Sequence, residues 1–376
     1  MTYTAPTVNY SATNNGTYTT LTGIQSVSIN RGRQRFQDQF PQSNCTIELI
    51  PANSYALPLA IGQFIDVRDA NSPSSPCYFA GQITDVTRDY EIPYNSISGA
   101  APADRITITA SGGTGAIGSA LLSSYAIPSQ AVSVTLDNLV TNANITYVDE
   151  ETFVLNSAQT LDGSLLNAVN TLLQTAQMLM DDLDTERTGT KRGLFIYNNS
   201  ANQFLGLTYS DTTFQRYKTL QFESSAQNTF NWVEVEAAGI WTTVTAKGAA
   251  PFNALKYNTF NVNQADTSSL SNYLYELLSG QLAPVPFSLG TDTNAYDACM
   301  YVAQLANADG QRPAIGEIAS ITFRGSTVSA QVQGLSANFY PDYGSVQLYF
   351  SPSLGTPFTL DSSTNGVLDQ NRLGYP

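Results

Sequence analysis

Gly113-Thr114-Gly115-Ala116-Ile117-Gly118 matches GxGxxG and follows a strand-like run. In a dinucleotide site, such glycines let a pyrophosphate reach backbone N–H groups at the start of a helix. The preceding run, RITITA, alternates Ile with Thr, whereas a central parallel strand is apolar on both faces. No second parallel strand with a well-placed acid follows, and Asp137 sits in a polar–apolar mix. A glycine-rich turn from a β-unit into a helix is the better reading. Asp181-Asp182-Leu183-Asp184-Thr185-Glu186 offers paired carboxylates of the kind used in glycoside hydrolysis or calcium binding. The calcium-loop pattern fails, because no Gly stands at position six with a Glu at twelve. Carboxylates in a water-facing hairpin turn account for this run, and for Asp149-Glu150-Glu151.

Arg31, Arg33 and Arg35 alternate in INRGRQRFQDQF, followed by Phe36. On an extended segment the three cations share one face, suited to an acidic partner surface. A solvated edge strand blunted by charge fits equally well. Trp232 and Trp241 lie in a β-rich stretch with Phe230 and Tyr257. Packing in a core or interface is preferred there to a sugar-stacking platform. The chain has no histidine, which excludes Ser-His-Asp and Cys-His catalysis and His-ligated zinc. Cys45, Cys77 and Cys299 lie far apart without a CxxC and read as small buried thiols. No catalytic, cofactor-binding or metal-ligating residue is therefore assigned, and no cofactor is expected.

The elements that must position these residues are built from an unusual composition. The 376 residues are 42% hydrophobic but only 12% charged, about half of the roughly 25% usual in soluble proteins. Ser, Thr, Asn, Gln and Tyr must make up the surface, which suits coverage by other subunits. Sixteen basic residues face 30 acidic ones, for a net charge of −14. That balance argues against stable nucleic-acid binding, which needs cations on phosphates. The N-terminus lacks a basic start and an apolar core, and no run reaches the roughly 18 apolar residues of a membrane span. A soluble chain made in the cytosol is expected.

Residues 1–22 read as a polar arm without periodicity. From Gly23 onward, apolar residues alternate with polar ones at Val27/Ile29, Ile47/Leu49, Phe64–Val67, Ile83/Val86 and Ile106/Ile108. This pattern predicts half-buried antiparallel strands of a small barrel or sandwich. GAIGSALLSSY predicts a short helix, and Val132–Thr141 reads as either strand or helix. Leu165, Leu166, Val169, Leu172 and Leu173 form an amphipathic stripe after Asp162, a candidate N-cap. A hairpin follows around DTERTGTKRG. FLGLTY, TLQF, FNWVEVEAAG, WTTVTAKG and YNTFNV are strand-like. Asp266–Leu282 and Ala295–Ala306 are helix candidates, and 318–323, 328–335 and 346–350 are closing strands. No exact repeat is present, but the first and last β-units could be structural duplicates.

Three stretches, taken in order, resemble tail hub and minor tail proteins of long-tailed bacteriophages. The first is GIQSVSINRGRQRFQDQF, CTIELIP, IGQFIDVRD and YFAGQITDVTRDYE, with RITITASG after it. The second is SLLNAVNTLLQTAQMLMDDLDTERTGTKRGLFIYN, and the third VQGLSANFYPDYGSVQLYFSP with FTLDSSTNGVLDQNRLGY. The resemblance implies a mainly β chain with an α/β insertion (α+β), made of two small β-barrels plus helical and hairpin subdomains. The implied divisions are an N-terminal arm 1–22, a first β-barrel 23–127 and an α/β insertion 128–203. Strands and helices of a middle region at 204–310 follow, then the closing part of a second β-barrel at 311–352 and an extended segment 353–376.

By the same resemblance the protein is a non-enzymatic virion component at the phage tail tip, assembled in the host cytoplasm. It would be a homotrimer that caps or nucleates the tail tube and holds distal tail and tip proteins. Two related barrels per chain would let a three-fold hub present six barrels to a six-fold tube. Arg31, Arg33, Arg35 and Phe36 are the candidate interface residues. The alternatives are a distal tail ring protein, a tip module that binds host-surface glycans through Trp232 and Trp241, and a peptidoglycan-cleaving protein using Asp182 or Glu186.

Overall fold

The computed structural model describes residues 4–14, 16–51, 57–68, 77–90, 104–141, 146–148, 153–155, 158–182, 193–198, 207–210, 219–223, 230–237, 241–246, 253–260, 262, 264–279, 285–294, 315–316 and 318–352. The helix expected at Ala295–Ala306, the extended segment 353–376, Cys299, Glu186 and Asp149-Glu150-Glu151 lie outside these residues.

The first part of the chain is strand-rich: β1 (Thr7–Ser11), β2 (Thr19–Thr20), β3 (Ile24–Gly32), β4 (Asn44–Leu49), β5 (Phe64–Arg68), β6 (Cys77–Asp89) and β7 (Arg105–Ser111). Next come α1 (Gly113–Gly118), β8 (Leu121–Ile127), α2 (Val132–Val140), β9 (Thr146–Val148), β10 (Gln159–Ser164), α3 (Leu165–Ala176), β11 (Met178–Asp181) and β12 (Leu194–Asn198). After these are β13 (Leu207–Ser210), β14 (Thr219–Glu223), β15 (Trp232–Ala237), β16 (Trp241–Ala246), β17 (Ala254–Thr259) and α4 (Gln264–Ser279). The described chain closes with β18 (Val285–Asn294), β19 (Ile318–Phe323), β20 (Ser326–Phe339) and β21 (Tyr343–Pro352). The protein is mainly β with a few helices, as the alternation predicts.

Thirteen strands form one sheet, ordered β14-β18-β21-β20-β3-β4-β7-β6-β5-β1-β2, with β19 on β20 and β13 on β19. Among the described residues no pairing closes either end of this path. The first and last β-units are therefore continuous, joined where β20 pairs antiparallel with β3 from Phe339↔Val27 to Gly334↔Gly32. They also share one core: Ile29, Ile47, Ile108 and Phe79 pack with Ile321, Val332, Leu335 and Phe339. A second core lies under α2 and α3, and a third under α4 and β15–β17.

Several expectations change. The N-terminal arm contributes β1 to the sheet edge, paired with β5 from Thr7↔Arg68 to Ser11↔Phe64. Isolated Val8 and Leu21 carry no readable period, yet both are buried in the main core. Asp162 does not cap α3. It lies in β10 and accepts a 2.6 Å bond from the Ser124 N–H, while Ser164 precedes the helix. The helix expected in GAIGSALLSSY ends at Gly118, and Leu121–Ile127 is a strand paired with β10. Val132–Val140 settles as helix α2.

At the join the two backbones nearly touch. A Cβ on Gly32 would lie 2.4 Å from the Gln333 carbonyl oxygen, and one on Gly334 2.5 Å from that of Arg33. Gly32 also has φ of 72°. Gly32→Ala should cost about 3 kcal/mol or more, combining left-handed strain with overpacking. Gly325, with φ of 81° and open space around it, supplies the control. Gly325→Ala should cost only about 1 kcal/mol. Urea unfolding midpoints of the two variants measure the difference.

Candidate functional site: a buried acid–arginine joint

β3 carries Val27 and Ile29 into the main core, and the chain beyond it crosses the other two. Phe36 is buried in the third core and Phe40 in the second, so the 14 residues from Val27 to Phe40 serve all three. Phe40 is fixed to α3 by two bonds: its N–H donates to Asn170 Oδ1 at 2.9 Å, and Asn170 Nδ2 donates to its carbonyl at 3.0 Å. The Phe36 N–H donates to Ser351 Oγ on β21 at 2.9 Å.

The arginines of this segment turn inward. Arg31 is 5% exposed and Arg33 6%. Arg31 pairs with Asp181 through Nη2 and donates to the Tyr78 carbonyl through Nη1 at 3.3 Å. Arg33 lies over the rings of Phe36 and Phe40, with its guanidinium carbon 4.8 and 4.4 Å from their centroids. Its Nε donates to Gln333 Oε1 at 2.8 Å, and burial lowers its pKa to about 10, so it stays cationic at neutral pH. β3 ends at Gly32, so Arg35 stands in a turn closed by the Asp38 N–H bond to its carbonyl. The expected row of solvent-facing cations does not form. Arg31, Arg33 and Phe36 make an interface within the chain.

Asp181 and Asp182, expected in a water-facing turn, are 1% and 3% exposed. They end β11, and their partners lie far away in sequence. Asp181 takes Arg31 and the Ile315 N–H, the latter at 3.3 Å. Asp182 accepts from the Thr114 N–H at 3.1 Å and the Thr114 hydroxyl at 3.2 Å, with Ser43 Oγ 3.2 Å from that hydroxyl. Burial, then the neighbouring Asp181 charge, pushes the Asp182 carboxyl up to about 7 against the pull of Arg31 and Thr114. The polar chain runs on through neutral amides. Gln333 Nε2 donates to Gln331 Oε1 at 3.1 Å, and Gln331 Nε2 to the Gly316 carbonyl at 2.9 Å, next to Ile315. The circuit thus closes from Asp181 through Arg31, Gly32, Arg33, Gln333, Gln331 and Gly316 to Ile315. It ties the insertion to both β-units.

The GxGxxG glycines serve the same joint. A Cβ on Gly113 would lie 1.8 Å from the Gly193 carbonyl oxygen, so α1 is pressed against the insertion backbone. The strand before it is antiparallel on both sides, to β4 and β6, and α1 has only six residues. Trp232 and Trp241 pair with opposite ends of their ladder, at Ala246 and Ala237, about five residues or ~17 Å apart. Cys45 is buried on β4, where desolvation pushes its thiol pKa up. Ser43, Thr114, Gln331 and Gln333 were not singled out by sequence. Nothing local distinguishes them from the abundant surface Ser, Thr and Gln of this chain.

No family model and no curated protein matches the chain in sequence. Its fold does have counterparts. A tail protein from Neisseria meningitidis MC58 superposes with a TM-score of 0.60 at 12% identity, covering 93% of this chain and 96% of that one. The 43 kDa tail protein of prophage MuSo2 from Shewanella oneidensis gives 0.58 at 11%, covering 92% and 97%. The chain has the fold of phage tail proteins. The E. coli c3393 protein shares it at a TM-score of 0.55 and 9% identity, covering 88% of this chain and 73% of that one. That protein is a type VI secretion component described as structurally similar to the T4 tail proteins gp27 and gp5. Within this tail-protein fold most polar groups of the joint have internal partners, with Arg31 Nε left without a hydrogen bond among the described residues, and the arrangement serves as a structural lock.

Removing one member strands the others. Arg31→Met should destabilise the protein by about 3–5 kcal/mol, because it leaves buried carboxylates without their cation. Adding Asp181→Asn should recover part of that loss. Chemical denaturation of both variants measures it.

Proposed function

We propose that this chain is a structural component of a phage tail, a hub at the distal end that caps or nucleates the tube and holds its neighbours. The observation that carries this reading is the end-to-end correspondence with two tail proteins, above nine-tenths of both chains in each case. A shared fold does not by itself fix a role. Composition adds independent support, since 12% charged residues and a Ser/Thr/Asn/Gln surface suit permanently covered interfaces. The protein works through shape and assembly and carries out no reaction.

In this reading the two β-units act as barrel-like bodies and three copies present six of them to the tube. Curling of the closing unit supports it: Phe222 on β14 lies 5.7 Å, ring to ring, from Phe323 on β19, although the two strands are far apart in the sheet order. Its partners would be two further copies, the tail tube and distal tip proteins, in the virion. The net charge of −14 would let the lumen repel rather than hold the genome. No helix among the described residues is long and apolar enough to cross a membrane.

Antibody against the purified protein, imaged on virions by electron microscopy, should label the distal tail end. Cross-linking of the purified protein should trap trimers. Label on the head or along the tube, or a protein that stays monomeric both in solution and in virions, would overturn the reading.

A further inference from the structure

Among the described residues two carboxylates and one guanidinium meet in the joint, so their full ionisation leaves a buried excess negative charge. Asp181 already has the cation and two backbone N–H donors, from Ile315 and Asp182. Asp182 has only the uncharged donors of Thr114. Its Oδ2 would lie 2.2 Å from a Cβ on Gly112, so the carboxylate packs directly against the Gly112 backbone.

We propose that Asp182 is a proton-operated latch: while its carboxyl is neutral, β11, α1 and the end of β7 stay seated together, and its ionisation loosens that seating. Geometry gives the proton somewhere to go. A neutral Asp182 donates from Oδ2 to Thr114 Oγ1, and the Thr114 hydroxyl turns to Ser43 Oγ, 3.2 Å away. An ionised Asp182 takes the Thr114 hydroxyl back and faces the Asp181 charge, which Arg31 offsets only in part. Among the described residues the charged groups around it are few. β11 brings Asp181 and β3 brings Arg31; Arg33, just beyond β3, is turned to Gln333 and the Asp38 carbonyl. Arg35 and Asp38 sit in the following turn, and α1 and the described residues of β12 bring no charge.

The direction follows from the raised pKa. Unfolded, the group titrates near 3.8; folded, it holds its proton to about 7. Between these values the native state binds the extra proton, so the stabilisation is complete below the lower value and is lost as pH rises through the upper one.

Wild-type protein labelled with 13C at the aspartate carboxyls, titrated by NMR from pH 5 to 9, should show one carboxyl ionising near neutrality. In Asp182→Asn that signal should be missing. Amide protection across Met178–Asp182, corrected for intrinsic exchange, should fall in wild type by up to about tenfold per pH unit between pH 5 and 7, the limit for release of one proton, and level off above pH 7. In Asp182→Asn protection should stay flat. Should that variant not fold, Thr114→Val must move the same titration upward, since, of the two hydroxyl bonds it removes, the charge-assisted one to the ionised form is the stronger. A wild-type protein in which every aspartate ionises below pH 6, or whose β11 protection ignores pH, would overturn the latch.

Discussion

Where β3 crosses β20, the backbones approach so closely that neither Gly32 nor Gly334 has room for a Cβ. Everything distinctive in the fold follows from that contact. It makes one sheet and one core of two β-units whose joining glycines, Gly32 and Gly334, stand about 300 residues apart in the chain. It also places the residues flanking Gly32 inside the molecule rather than on an edge. An ordinary antiparallel pair would keep strands roughly 4.8 Å apart with side chains standing off on both faces. At this crossing the left-handed Gly32 redirects the chain, and the cations on either side are carried into the angle between sheet and insertion.

Burying cations is unfavourable unless their hydrogen bonds are met. The chain meets them mostly with neutral groups: Gln333, Gln331, backbone carbonyls and aromatic faces. That choice fits a sequence poor in charge. It also explains why three separate cores can be joined by one segment. Val27 and Ile29, then Phe36, then Phe40 enter successive cores, and the arginines between them fill the polar space where the cores meet.

Much of this was legible locally. Alternation located β3, β4, β7 and the closing strands, and the leucine stripe located α3, because burial on one face imposes a period on the sequence. β1 was not legible, since Val8 and Leu21 are single apolar residues in a polar run. The fate of Asp181 and Asp182 was hidden for a different reason. Their neighbours, DTERTGTKRG, have turn chemistry, while their partners, Arg31, Thr114 and Ile315, come from 150, 68 and 134 residues away. Spacing on one strand identified Arg31 and Arg33 as a pair sharing a face. It could not say that the acidic surface they meet belongs to the same chain. The GxGxxG run misleads in the same way, since its glycines answer to a neighbouring backbone at Gly193 and not to a phosphate.

Register is what the polar circuit adds beyond adhesion. An apolar joint of the same volume would hold the insertion at least as firmly, because burying ions and amides recovers little net energy. It would also resist sliding less. In a β-ladder a slip of one residue sends every side chain to the other face. A slip of β20 on β3 would bring Val332 or Gly334 to Arg33 in place of Gln333, and would put a Cβ against Gly32. Both errors are costly, one through a stranded guanidinium and the other through a steric clash. The two penalties act at adjacent residues and exclude the same misalignments. Apolar packing already opposes a one-residue slip by burying one face, and the glycine pair with its flanking arginines adds two local penalties against the same slip.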